Sequence, residues 1–463
     1  AVALGMNPTD VEIRRELVAL ELAEGRPEKA VQELRHLLAA QPDDVEALRQ
    51  MARLLTDPQN AREAIAFAQR AVDVQPSDAQ SWLILAQALE CAGEHASAQS
   101  AYERSLALDP DRCETLLAFG RFLVARGQHA QAKEALEKAL TLGAEEAAVG
   151  KELGAVLLAM GQPEAALPHL EKAARLASSD PEACCRLGEA YLALGRVDDA
   201  VASLERAIAL KPNSAALRER LAEAFAAKGW HREAISQLSL AAEKDPANPA
   251  PRRALARLLY SQGMLSAAIT AAEQALAISP DDPEALKLRG LALLGLGRAG
   301  EAIQPLERAV HLQPDSAQAK LALARAYVEA GDFARAEGLC SQLISLDPTN
   351  AEVHGLLAQL HAARGELNSA LDEVMYALAH QPSSPQLLLL KAELLARRGA
   401  EVAALQEIAH AVELAPNDDV ILGKAAQLLA QLGHLEEALA HAQRAAALNP
   451  RDYRHQLYTA ELA

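Results

Sequence analysis

Twelve prolines (Pro8, Pro42, Pro76, Pro110, Pro212, Pro246, Pro280, Pro314, Pro348, Pro382, Pro416 and Pro450) follow apolar stretches at spacings of 34 residues or a multiple of it. The two absent members fall at Ala144 and Ser178, and the phase carries through both without insertion. Such a period makes the chain an array of one small unit, each copy burying a face against the next, rather than a set of unrelated domains. Counted from the third residue after each proline, thirteen repeats run from Val11 to Asp452. Ala and Leu dominate while aromatics are only 3% of the 463 residues, so each unit is expected to be helical and the fold all-α.

Within the period, position 20 is alanine in all thirteen repeats, from Ala30 to Ala438, and position 8 is Gly or Ala in twelve, with Val18 the exception. Small residues at both positions fit two antiparallel helices that cross closely, with larger neighbours such as Leu187, Tyr191 and Leu204 filling the space beside them. Position 15 is glycine in twelve repeats, Gln59 being the exception, and supplies the left-handed residue that ends a first helix. The proline at position 32 ends the second helix by disfavouring helix in the residue before it. Position 34 is Asp, Ser or Asn in eleven repeats and reads as the N-cap of the next first helix, reinforced by Pro181, Pro249, Pro283 and Pro385 just after the cap. Repeat two departs from the rest: Asp57-Pro58 is expected to end its first helix early, in an alternative turn or, on a second reading, a hinge or displayed loop.

This helix, turn, helix, loop unit resembles the tetratricopeptide repeat. Trp82, Leu85, Ala86, Leu89, Ala98, Tyr102, Ser105 and Pro110 meet that family's pattern within one repeat, and the resemblance covers essentially the whole chain. It implies an all-α, right-handed superhelical solenoid of tandem 34-residue helix-turn-helix units, with one continuous array over 11–452. It also implies that first helices line a groove for a peptide or protein partner, mainly through positions 2, 5, 9 and 12.

At positions 5 and 9 nine residues are basic and four acidic, against a net charge of −18 for the chain. Glutamates at position 2 cancel this excess, but they have a separate reason to be there, since negative charge is favoured at a helix N-terminus. The expected partner contacts are Arg49, Arg53, Leu83, Leu117, Arg121, Arg253, Arg257, Lys287, Leu321, Arg325 and Leu389. Arg253 and Arg257, four apart, read as a fork for an acidic peptide or a carboxylate. The leucines read as a bed for an amphipathic helix. No asparagine lies on a first helix, which disfavours both the Lys/Asn carboxylate grip of tetratricopeptide co-chaperones and an asparagine ladder.

Other chemistries find little support. The acidic balance disfavours nucleic acid. The longest leucine run, Leu387 to Leu390, is far too short to enter a membrane as a span. Gly295-Leu296-Gly297-Arg298-Ala299-Gly300 spells a dinucleotide fingerprint but falls on a helix-helix turn rather than after a strand. His354 and His361 are two helical turns apart, too far to share a metal. Five cysteines without CxxC spacing read as core fillers, Cys184-Cys185 included. No catalytic motif, cofactor or metal site is expected. The reading is a protein-interaction scaffold. Its alternatives are the recruiting segment of a glycosyltransferase or sulfotransferase, or a periplasmic scaffold for envelope or exopolysaccharide export. Composition is compatible with a GC-rich bacterial source, and free cysteines favour a reducing compartment. Residues 1–10, AVALGMNPTD, place Ala3, Pro8 and Asp10 at positions 27, 32 and 34, and so read as the tail of a preceding second helix. Residues 453–463 read as the start of a following first helix. A longer array, and self-association through uncapped ends, are the corresponding expectations.

Overall fold

The computed structural model describes residues 11–450 and 453–463. The expectations for residues 1–10 and for a cap at Asp452 lie outside the described residues. The described residues form helices and short connections, with no strand among them. The chain divides into two compact units, one ending at Trp230 and the other beginning at His231, at the turn inside repeat seven.

A repeat is built as its residue types dictate. In repeat six, Asp180 accepts a hydrogen bond from the backbone N–H of Glu182, Pro181 opens a first helix over Pro181–Ala193, and a second helix spans Val197–Leu210. Between them Gly195 takes φ +71°, and the Arg196 N–H reaches back to the carbonyl of Tyr191 at 2.8 Å. All twelve position-15 glycines adopt this left-handed conformation, which a side chain would oppose. All ten position-34 residues from Asp44 to Asp418 that read as caps accept from a backbone N–H at the start of the following helix. Each cap satisfies a donor that the helix cannot satisfy itself.

Two of the irregular sites resolve locally. In repeat two the first helix stops at Leu54, and Asp57 Oδ1 accepts from the N–H groups of Gln59 and Asn60 at 2.9 and 3.0 Å. That side-chain turn replaces the missing glycine. In repeat four, where Ala144 stands in place of proline, Gly143 takes φ +81° and Ala144 N–H bonds to the carbonyl of Ala139 at 3.1 Å. A glycine stop thus does there what proline does elsewhere.

The helix crossing is sharper than the small-residue pattern implied. All thirteen position-20 alanines are wholly buried. Position 8, however, meets the side chain at position 24. A Cβ added at Gly188 would lie 2.7 Å from Leu204 Cγ, and one added at Gly120 would lie 2.7 Å from Leu136 Cδ2. Gly154 and Gly290 face Leu170 and Leu306 in the same way. The Ala200 carbonyl is a further 3.4 Å neighbour of the Gly188 site. The glycine is therefore the socket for a leucine, and the position-20 alanine lets the two backbones close around it.

Candidate functional site

The first-helix face carries the residues read as groove contacts, and most of its cations are already engaged. At position 5, Arg15, Arg49, Lys151 and Arg253 each donate to the position-34 aspartate 29 residues later: Asp44 at 2.7 Å, and Asp78, Asp180 and Asp282 at 2.8 Å. Because that aspartate also caps the next first helix, each pair ties one repeat to its successor. Asp282 is 6% exposed and takes three donors: Arg253 and the N–H groups of Glu284 and Ala285. Arg253 is therefore an internal tie, and the Arg253/Arg257 fork does not stand open, since Arg257 pairs with Glu284 at 3.3 Å.

The rest of the expected contacts separate by burial and pairing. Arg53 reaches Glu114 at 3.1 Å and Arg121 reaches Glu152 at 2.8 Å. Lys287 sits between Glu284 at 2.7 Å and Gln318 at 3.2 Å. Leu83 is wholly buried, so it is core rather than a contact; at position 5 a leucine packs inward among its neighbours where a cation reaches the next cap. Leu117 is half-buried against the same core. Leu389 is also wholly buried and acts only as a floor beneath a cavity. In the first unit, Glu189 takes both Arg186 at 3.1 Å and Arg220 at 3.0 Å. These groups surround Cys185, whose thiol burial, together with the nearby carboxylates, pushes up to about 12. The Cys184-Cys185 pair is buried and ill suited to ionise.

The aspartate ties carry a pH signature. Burial opposes ionisation of Asp78, but the Ser81 hydroxyl, Arg49 and two backbone N–H groups outweigh it and hold the carboxyl below its ordinary value. Asp180 is likewise lowered, with Lys151 and the Glu182 N–H outweighing burial. A carboxyl depressed in the folded chain stabilises fully above its unfolded value, about 3.9, and loses that contribution as pH falls toward the folded one. Urea midpoints of Asp78→Asn and Asp180→Asn should therefore fall less than wild type between about pH 5 and pH 3. Parallel curves would show that these carboxylates do not govern the acid limb.

The second unit holds a groove along its own first helices. Two adjoining cavities, about 460 and 260 Å3, share Arg325, Glu352 and Leu356. Leu291 and Leu321 line the smaller one, and Leu356, Leu389, Leu390 and Ile421 floor the larger. Gln359, Gln381 and Gln386 stand around them with Ser384. Position 5 is glycine in repeats eleven and thirteen, Gly355 and Gly423, so no side chain fills the groove at those points; Gly355 itself lines the larger cavity. Arg325 and Lys424, both exposed, line this groove and form no ion pair among the described residues. Of the expected contacts, Leu321, Arg325 and Leu389 meet here. Lys424, Gln381 and Gln386 line the groove without having been among the expected contacts, and the two position-5 glycines were the available signal for them.

His354 and His361 are occupied. His354 Nδ1 lies 2.6 Å from Glu373 and Nε2 lies 3.0 Å from the Pro348 carbonyl, while His361 Nδ1 pairs with Glu366 at 2.6 Å. Among the described residues no cluster of three potential metal ligands occurs, and no helix is long and apolar enough to cross a membrane. Gly297 is the φ +73° turn residue between the helices Pro283–Gly295 and Ala299–Leu312, so the glycine-rich hexapeptide lies on a helix-helix turn.

Stacked helix pairs with a groove along their first helices define an all-α repeat scaffold for protein interaction. Residues 2–55, 21–88, 157–223, 293–360 and 328–394 match one tetratricopeptide repeat profile, 117–182 and 253–317 a second, 79–112 a third and 422–444 a fourth. The chain belongs to the tetratricopeptide repeat family. No curated protein matches it. Among solved structures it is similar to YrrB, a TPR protein with an unusual peptide-binding site, at 27% identity over 39% of this chain and 92% of that one, with a TM-score of 0.34. It is also similar to the APC/C hetero-tetramer Cut9-Hcn1, at 11% identity over 98% and 96% with a TM-score of 0.47. A tetratricopeptide repeat protein from Parabacteroides merdae matches at 20% identity over 55% and 100%, with a TM-score of 0.48.

Proposed function

We propose that the chain is a scaffold that holds an apolar segment of a partner protein along the first helices of repeats nine to thirteen. The observation that carries this reading is the continuity of the leucine-floored groove from Leu291 to Ile421, through two cavities that share lining residues. Its larger cavity falls in the size range of ligand pockets, and its walls mix apolar floor with a few polar side chains.

Gln359 is half-buried on the groove wall, so Gln359→Trp should fill the groove without entering the core. Panning a phage-displayed random dodecapeptide library against the full chain is expected to enrich apolar peptides, and Gln359→Trp to abolish their capture with an unchanged melting curve. Capture that survives this substitution would move the binding surface elsewhere.

A further inference from the structure

The groove also specifies what its occupant must carry. Along the first-helix face, cation after cation is neutralised by a carboxylate of the chain itself: Arg15, Arg49, Arg53, Arg121, Lys151 and Arg253. Arg325, in repeat ten, and Lys424, in repeat thirteen, form no ion pair among the described residues, and both line the leucine-floored groove. The comparison with repeat eight is direct. Arg257 closes on Glu284, 27 residues later, at 3.3 Å. Arg325 and Glu352 have the same spacing and the same repeat positions, yet no ion pair forms, and both cavities are lined by the two of them.

Resting on the groove reading above, we propose that the occupant is an extended protein segment with an apolar centre and a carboxylate toward each end, one for Arg325 and one for Lys424. An extended chain brings unpaired backbone N–H and C=O groups, and Gln359, Gln381 and Gln386 offer amides that both donate and accept. A helix satisfies those backbone groups internally and would leave the amides unused. The two cations rise from first helices three helix-to-helix steps apart, roughly 30 Å between axes, and their side chains reach toward one cavity, so at most about nine extended residues separate the partner's carboxylates. Glu352 is the built-in competitor: it stands at the repeat position of Glu284, forms no ion pair with Arg325, and places a negative charge on the wall where the partner's carboxylate must arrive.

The test uses the full chain and two synthetic fluorescent dodecapeptides with the same apolar centre, one flanked by glutamates and one by lysines, at low and moderate salt. The glutamate peptide is expected to bind at least about tenfold tighter, with salt weakening it. Arg325→Glu/Lys424→Glu should reverse the preference, and Glu352→Gln should strengthen the glutamate peptide several-fold. All three residues are exposed, so unchanged melting curves are expected. Equal binding of both peptides, with Gln359→Trp still abolishing it, overturns the charge inference and leaves the groove reading standing. Binding of neither peptide to wild type, together with no Gln359-dependent capture from the random library, overturns both. Enrichment of peptides with apolar residues three and four apart overturns the extended segment in favour of a helix. Displacement of the glutamate peptide by oligothymidylate overturns the assignment to a protein partner.

Discussion

Leu204→Ala is expected to destabilise repeat six by about 2–5 kcal/mol, the range for emptying a fully buried leucine site. Leu204 is wholly buried and projects into the space that Gly188 leaves by having no Cβ. Gly188→Ala alone is pulled two ways. Alanine is the better helix former by about 1 kcal/mol, but its Cβ would stand 2.7 Å from Leu204 Cγ, and overpacking typically costs about 1–3 kcal/mol. The double substitution Gly188→Ala/Leu204→Ala removes that clash, leaves a smaller void and keeps the helix gain. It should therefore be more stable than Leu204→Ala alone by about 1 kcal/mol. Repeat arrays need not unfold in one step, so hydrogen exchange within Pro181–Leu210 is a better measure than a global melt. An additive double mutant would mean that positions 8 and 24 do not share a site.

Asp282→Ala is expected to cost about 2–3 kcal/mol in the second unit, as it removes an N-cap and strands the Arg253 guanidinium together. Asp282→Asn keeps an acceptor for the Glu284 and Ala285 N–H groups and loses only the charge, so about 1 kcal/mol is expected. Arg253→Met leaves a carboxylate that is almost fully buried but still held by two backbone donors, and should fall between the two. The discount reflects Arg253 itself, whose side chain is 35% exposed and therefore partly screened. Equal effects of Asp282→Ala and Asp282→Asn in urea titrations would assign the whole contribution to the ion pair and none to the cap.

What could be read in the sequence was whatever the array repeats. The turn glycines, the caps at position 34 and the alanines at position 20 recur so often that packing and backbone geometry were the only common cause available. The socket at position 8 was half legible: its smallness was plain, but its occupant was visible only once the side chain of Leu204 was placed over Gly188. The groove was legible as a face and not as a site. Arg257 and Arg325 are alike in charge and in repeat position, and each has a glutamate 27 residues later. The difference is that Glu284 closes on Arg257 whereas Glu352 forms no ion pair with Arg325, and spacing alone does not separate the two. The 29-residue spacing from Arg15 to Asp44 and from Arg49 to Asp78 was present to be seen. Its meaning depends on the fold, because only the stacking of one repeat on the next brings a cap 29 residues away within reach of the side chain. Leu83 shows the same dependence for an apolar residue, and Gly355, which marks the groove by having no side chain, shows its reverse.

The 29-residue tie has a consequence for how such an array can change its length. Removing 34 residues anywhere preserves the period, but not every cut preserves the partners. Excising residues 266–299 would leave all helices in phase and bring Ser316 to the place of Asp282, 29 residues after Arg253. Excising 283–316 would leave Arg253 and Asp282 together. Recombination between repeats is therefore not neutral to where the crossover falls: the inheritable module is the stretch from position 5 to position 34, and junctions inside it produce a well-phased array whose arginines face the wrong neighbours.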